Sequence, residues 1–224
     1  MTLTATSLVL VTVDCLRADH CGFHGYSRPT TPFLDFLASE SVVVERAMSA
    51  GAPTYYSLPA ILASRMPLAL GRDIMGLAPD EETLTTTLLQ HGYATAAFSA
   101  ANPYISPQFG YDQGFELFQD FLDFKVAAAK NSEAARSAPK GRPFGSLNAW
   151  IEKSAQAAGL RKVYDEFYFQ YRMRIGRKPL PTLDLLRRFP SADIIVTSAE
   201  SWLTSLSSRP FFLWIHLMDP HHPY

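Results

Sequence analysis

Asp14 directly follows the apolar run Leu8-Val-Leu-Val-Thr-Val13. A carboxylate at the C-terminal end of a buried strand stands where open α/β sheets place ligand and metal chemistry. Its hard oxygens suit Ca2+ or Mg2+, although the same residue in the same place can also simply cap a turn. A second apolar run, Phe211-Phe-Leu-Trp-Ile-His-Leu217, carries Asp219-Pro-His221 to its own C-terminal end. Thr54 falls near the start of a helical pattern, where threonine commonly caps the helix. Arg17 lies just past Asp14, either as a surface cation or within reach of a bound anion. His216, inside an apolar strand, reads as a satisfied core histidine, and His222 as a surface residue. His20 and His24 have no spacing that assigns them to a metal. Cys15 and Cys21 lie close together, form no disulfide framework and match the paired spacings of zinc sites poorly.

The elements that must position these residues alternate. Residues 7–13 are rich in Val and Leu without alternation, which predicts a parallel strand buried on both faces. Residues 31–40 place Thr before Pro at the first turn of a helix, and 42–44 read as a short strand. Residues 54–65 carry Leu58, Ile61 and Leu62 at helical spacing, and Met66-Pro67 ends them. A helix over 83–91, closed by Gly92, leads to a strand over 93–98. This β-α-β order predicts a parallel sheet. Residues 131–148 are small, polar and rich in Pro and Gly, so they read as a loop or linker. Residues 149–174 and 191–206 read as helices, the second opened by Ser191 and carrying Ile194, Ile195, Ala199 and Trp202. A strand over 211–217 closes the pattern.

Composition sets the class. The length suits one large α/β domain, and 47% hydrophobic residues with a net charge of -1 are ordinary for a soluble globular protein. Neither nucleic acid nor a membrane is expected as a partner. Charge is unevenly spread: residues 1–124 carry 5 Lys/Arg against 13 Asp/Glu, and residues 125–178 carry 12 against 4. The basic stretch reads as a solvated helix face. The first residues lack a basic segment, and the apolar run after them is too short to span a bilayer, so a cytoplasmic protein is expected.

Gly25-Tyr-Ser-Arg-Pro-Thr-Thr-Pro-Phe-Leu-Asp-Phe-Leu-Ala38, taken with Asp14 and Met218-Asp-Pro-His-His-Pro-Tyr224, resembles the N-terminal part of the sulfatase family, within the alkaline phosphatase superfamily. Glu82 to Phe98 and Asn102-Pro-Tyr through Gly114-Phe115 extend the resemblance. Residues 121–190 stand apart, as a variable basic helical insertion in a domain that otherwise runs over 1–224.

The resemblance implies an α/β fold with a mostly parallel central sheet flanked by helices on both faces, alkaline phosphatase-like and C-terminally incomplete. It implies that Asp14 binds a divalent metal, Ca2+ before Mg2+ or Mn2+. Cys15 stands where many members have a second Asp, and a soft sulfur there should weaken calcium binding or change the coordination. An ungapped alignment from Ser64-Arg65-Met66-Pro67 puts Thr54 on the family's nucleophile position, with Ser57 a weaker candidate. Threonine is not a substrate for formylglycine formation, so that group is not expected, and a metal-activated hydroxyl would act directly. His221 matches the family histidine that contacts the ester, as a donor or a general acid. The family's lysine after the 93–98 strand is missing, and Asn102 offers a neutral donor to substrate in its place, beside Arg17.

Three expectations follow from this. The protein is a metal-dependent hydrolase of sulfate esters, or of phosphate esters through Thr54, including phosphotransfer. Alternatively, it is a non-catalytic sulfatase-like binding module. The chain also reads as a fragment, with a missing C-terminal half or another subunit as its partner and an exposed apolar sheet edge.

Overall fold

The computed structural model describes residues 6–70, 75–123 and 189–221, which all belong to one compact unit built from residues 1–128 and 187–224. The loop expected at 131–148, the helix expected at 149–174 and the basic stretch of 125–178 lie outside the described residues.

Four strands form one parallel sheet: β1 (Leu8–Val13), β2 (Ala94–Ser99), β3 (Leu117–Gln119) and β4 (Phe211–Leu217), in the order β1-β4-β2-β3. Among the described residues, four α-helices accompany them: α1 (Pro32–Ser39), α2 (Thr54–Ala63), α3 (Leu84–Gln90) and α4 (Ala192–Ser205). The α/β class and the parallel sheet expected from the alternation are both present. β3 is an element that composition had not singled out; three residues are too few to show a period.

Pleating divides the sheet's side chains between two cores. Ala97, Phe212 and Trp214 face one way and pack with Leu58 and Leu62 of α2, with Leu88 of α3 against them. Ala96, Phe98, Leu213 and Ile215 face the other way onto Ile195 and Ala199 of α4. Helices therefore cover both faces of β4 and β2, whose apolar residues are almost wholly buried. Such two-sided burial explains their continuous hydrophobic runs.

β1 departs from its expectation. It pairs with β4 alone among the described strands, and Leu8, Val9 and Val11 are 40%, 56% and 52% exposed. The apolar run was read as a strand covered on both faces; it is an edge strand, because the described helices pack over β4 and β2 and leave it open. The strand expected at 42–44 is absent as well. Val42 and Val44 are exposed in an irregular segment, with no described strand for them to pair with.

Local signals place the helix that precedes β2. The Thr83 hydroxyl accepts the Thr86 backbone N–H, and the Thr86 side chain takes the Thr83 N–H, so the first orphan donors of α3 are satisfied. Gly92 then turns the chain at φ +82, a conformation open to glycine, and β2 begins two residues later.

Candidate active site

The parallel register brings three strand ends level. Val13 pairs with Leu217, and Ser99 with His216. The ladder continues one step beyond each strand, with Asp14 N–H donating to Leu217 O at 2.9 Å and Ala100 N–H to His216 O at 3.0 Å. Asp14, Asn102 and the Met218–His221 turn thus leave the sheet at the same edge. This is the carboxyl edge at which such sheets bind ligands.

Asp14 is the hub of the site. Its Oδ2 accepts the Thr54 hydroxyl at 2.8 Å and faces the Asn102 amide at 3.5 Å and His216 Nε2 at 3.7 Å; its Oδ1 accepts the Cys15 thiol at 3.3 Å. Burial pushes the Asp14 carboxyl up, but facing His216 and the donors Thr54 and Cys15 outweigh it, and the pKa falls from 3.8 to about 2.

Thr54 is the first residue of α2, and Pro53 occupies the N-cap position. The capping role considered for Thr54 is therefore replaced by the bond to Asp14. Ser57, the weaker nucleophile candidate, donates back to the Thr54 carbonyl at 3.1 Å within the same helix.

Cys15 takes a left-handed conformation at φ 59. In an extended strand adjacent side chains point apart; this turn instead brings the thiol beside the preceding carboxylate. Burial, followed by the hydrogen bond and charge of Asp14, raises the Cys15 pKa from 9.0 to about 11. The ligand atoms of Asp14, Cys15 and His221 all lie within 4.8 Å of one another. His221 is anchored by its N–H to Met218 O at 2.9 Å, and its ring meets Phe189 edge-on at 5.5 Å.

The other two candidates are occupied differently. Asn102 is buried, and its Oδ1 accepts the Tyr104 N–H at 3.0 Å while its amide turns toward Asp14. Arg17 forks onto Asp19 at 2.9 and 2.6 Å on the exposed surface.

His216, which the sequence reads as a satisfied core histidine, stands beside the site, with Nε2 3.7 Å from Asp14 Oδ2. It is buried, as expected of a strand residue, but only its Nδ1 is partnered, to Thr12 Oγ1 at 2.8 Å. Nε2 has no hydrogen-bond partner. Thr12 Oγ1 already accepts Trp214 Nε1–H at 3.0 Å, so its own proton is best spent on Nδ1, 2.8 Å away, and not on Ile215 O at 3.4 Å. That assignment leaves the ring proton on Nε2, toward Asp14. One step along the register, Ser99 Oγ is likewise buried without a partner. The available clue was position: His216 lies one residue from the carboxyl end of its strand.

These residues fit a divalent cation. A carboxylate, an imidazole and a thiol present ligand atoms within 4.8 Å of one another, two of them able to carry negative charge. Asp14 would hold it, with Cys15 and His221 close by.

The sulfatase family model matches residues 6–224. The chain belongs to the sulfatase family. Among solved structures, the phosphonate monoester hydrolase of Agrobacterium radiobacter superposes with a TM-score of 0.59 at 18% identity, covering 98% of this chain and 42% of that one. Ps i-CgsB in complex with k-i-k-neocarrahexaose gives 0.56 at 18% identity, covering 98% and 46%. A second structure of Ps i-CgsB gives 0.54 at 19%. This sulfatase-family chain thus shares their fold and spans less than half of their length. No curated protein matches it. Among the described residues, no helix is long and apolar enough to cross a membrane.

Proposed function

We propose that this sulfatase-family protein is a metal-dependent hydrolase of small anionic esters, in which Thr54 is the nucleophile, Asp14 the metal-binding carboxylate and His221 the group that contacts the ester. The observation that carries this reading is the 2.8 Å bond from the Thr54 hydroxyl to Asp14 Oδ2 at the start of α2.

That bond commits the hydroxyl proton to the carboxylate and leaves the oxygen's lone pairs for other partners. A carboxylate with a pKa of about 2 is too weak a base to hold the hydroxyl proton at neutral pH, so Asp14 orients Thr54 and does not deprotonate it. A divalent cation held by Asp14 would supply the Lewis acidity that polarises ester oxygens. The positive end of α2 adds to the attraction for an anionic group at Thr54. His221, held on the turn after β4, would donate to the leaving oxygen. Asn102, with its amide turned into the site, offers a neutral donor, and Arg17 would serve substrate only by leaving Asp19.

Sulfate, phosphate and phosphonate monoesters all present the anionic oxygens that this arrangement suits. The test is hydrolysis of matched chromogenic aryl sulfate, phosphate and phosphonate esters with added divalent metal, beside Thr54→Ala. Turnover abolished by the substitution supports the reading and selects the ester. Turnover that survives it removes Thr54 as nucleophile, and silence from folded, metal-loaded protein favours a binding module.

A further inference from the structure

The turn that carries His221 is held by side chains as well as by its backbone. Met218, at its start, is buried in the core that Ile195 and Ala199 of α4 share with β4. The His221 N–H closes the turn on Met218 O at 2.9 Å. Pro220 stands third in it, a place that the commonest turn type disfavours for proline, whose ring restricts the residue before it. The local sequence therefore does little to fix Asp219-Pro220-His221, and a hold from outside the turn matters more. Asp219 provides one: its Oδ1 accepts the N–H of Ala192, the first residue of α4, at 3.2 Å across a separation of 27 positions.

We infer that Asp219 is a positioning residue for His221, which rests on the proposed contact of His221 with the ester: by tying the turn to the start of α4, Asp219 fixes the direction in which the imidazole leaves the sheet edge. Ordinary capping of α4 does not account for the bond. Ser191 stands at the N-cap in extended backbone but makes no side-chain cap bond, and Asp193 already puts a carboxylate in the first turn. The helix thus has residues of its own for capping and for charge. What Asp219 adds is a link between α4 and the turn. Phe189 backs the imidazole edge-on at 5.5 Å and packs on the same core as Met218. Such holding matters because a misplacement of about 1 Å in a reacting group can cost on the order of a hundred-fold in rate.

The test separates a link from a cap. Asp219 is exposed, so Asp219→Ala in the full chain leaves the core intact while removing both. Adding Ser191→Asp gives α4 back a capping carboxylate without restoring the link. Turnover is read on two aryl esters of whichever type is hydrolysed, a nitrophenyl ester with a good leaving group and a phenyl ester with a poor one. Help at the leaving oxygen matters most for the poor one. In Asp219→Ala, kcat on the phenyl ester is expected to fall on the order of ten-fold or more, with KM near the native value and the nitrophenyl ester little affected. Ser191→Asp should return any loss in Tm and leave the phenyl-ester loss in place. Asp219→Asn, whose amide oxygen still accepts the Ala192 N–H, should keep most of the native rate.

His221 is also read directly by NMR, without turnover. Its ring C–H signal, assigned by its loss in His221→Ala, carries the ring current of Phe189. That signal is expected to move toward the position of an unstructured histidine in Asp219→Ala and to stay there when Ser191→Asp is added. An unmoved His221 signal, or a phenyl-ester rate that Ser191→Asp restores together with Tm, would overturn the inference. Should His221→Ala itself show no loss that depends on the leaving group, or the folded chain hydrolyse neither ester, the reading of His221 fails, and the NMR signal still decides whether Asp219 positions it.

Discussion

Two polar clusters at opposite ends of α2 are built from similar charges and behave differently. Past its C-terminus, Arg65 and Glu81 form a largely buried pair; the guanidinium also donates to Gly76 O at 2.5 Å, and Glu81 accepts the Ala78 N–H at 2.7 Å. At the N-terminus, Thr54, Asp14, Cys15 and His216 are also drawn together, but His216 Nε2 and Ser99 Oγ are left buried without partners. Native interiors rarely leave such atoms unpaired, because each costs about 1–3 kcal/mol of lost hydration. The first cluster satisfies itself and ties a loop to a helix. The second keeps a buried imidazole nitrogen 3.7 Å from a carboxylate without a hydrogen bond.

The sharpest way to break this comparison is at the hydroxyls. Thr54→Ala is expected to lower turnover of the preferred ester on the order of a thousand-fold or more, whereas Ser57→Ala, which touches only the helix backbone, should leave kcat near the native value. Steady-state kinetics on both variants decide it, and equal losses would dissolve the distinction between them.

Next in size is the structural pair. Arg65→Met strands the Glu81 carboxylate in a poorly hydrated place and should cost about 3 kcal/mol, or roughly 6–12 °C in Tm. Adding Glu81→Gln should recover part of that loss. Calorimetry measures both, while metal affinity at Asp14 should stay unchanged; a weakened site would mean that the two ends of α2 are coupled.

A smaller effect concerns the thiol. With a pKa of about 11, about one Cys15 in a thousand is ionised at pH 8. Iodoacetamide should therefore modify it slowly in metal-free protein, and Asp14→Asn should speed labelling at that residue by removing the charge that suppresses ionisation. Peptide mapping separates it from the buried Cys21.

The smallest is a pH dependence. Because folding lowers the Asp14 pKa from 3.8 to about 2, its contribution to stability is full above about pH 4 and is lost as pH falls toward 2. In Asp14→Asn that part of the acid-unfolding curve should flatten; an unchanged curve would mean that the carboxylate gains nothing from its neighbours.

Much of this was legible in the residues. The boundaries of β4 match the apolar run 211–217, and α2, α3, α4 and β2 lie within a residue or two of their patterns, because amphipathic spacing, caps and terminating Gly or Pro act locally. Asp14, Thr54 and His221 were singled out from strand ends, a helix start and the family resemblance, and the fold brings Asp14 together with each of the other two. His216 was read as core, and Cys15 only as a departure that weakens calcium binding or changes the coordination. A histidine within an apolar run is indistinguishable from core until its second nitrogen is seen to lack a partner, and a cysteine after an aspartate looks like a lost ligand until a left-handed turn points its sulfur back.

What the sequence determined by itself was most of the helices and strands and the candidates Asp14, Thr54 and His221, since those depend on short-range periodicity and side-chain type. Tertiary structure alone decided that β1 is an open edge and that 42–44 forms no strand. It also decided that Asp14, Thr54, Cys15 and His221 share one sheet edge. Those outcomes depend on which strands become neighbours and in what register, and residues 14, 54 and 221 meet only when distant segments pack.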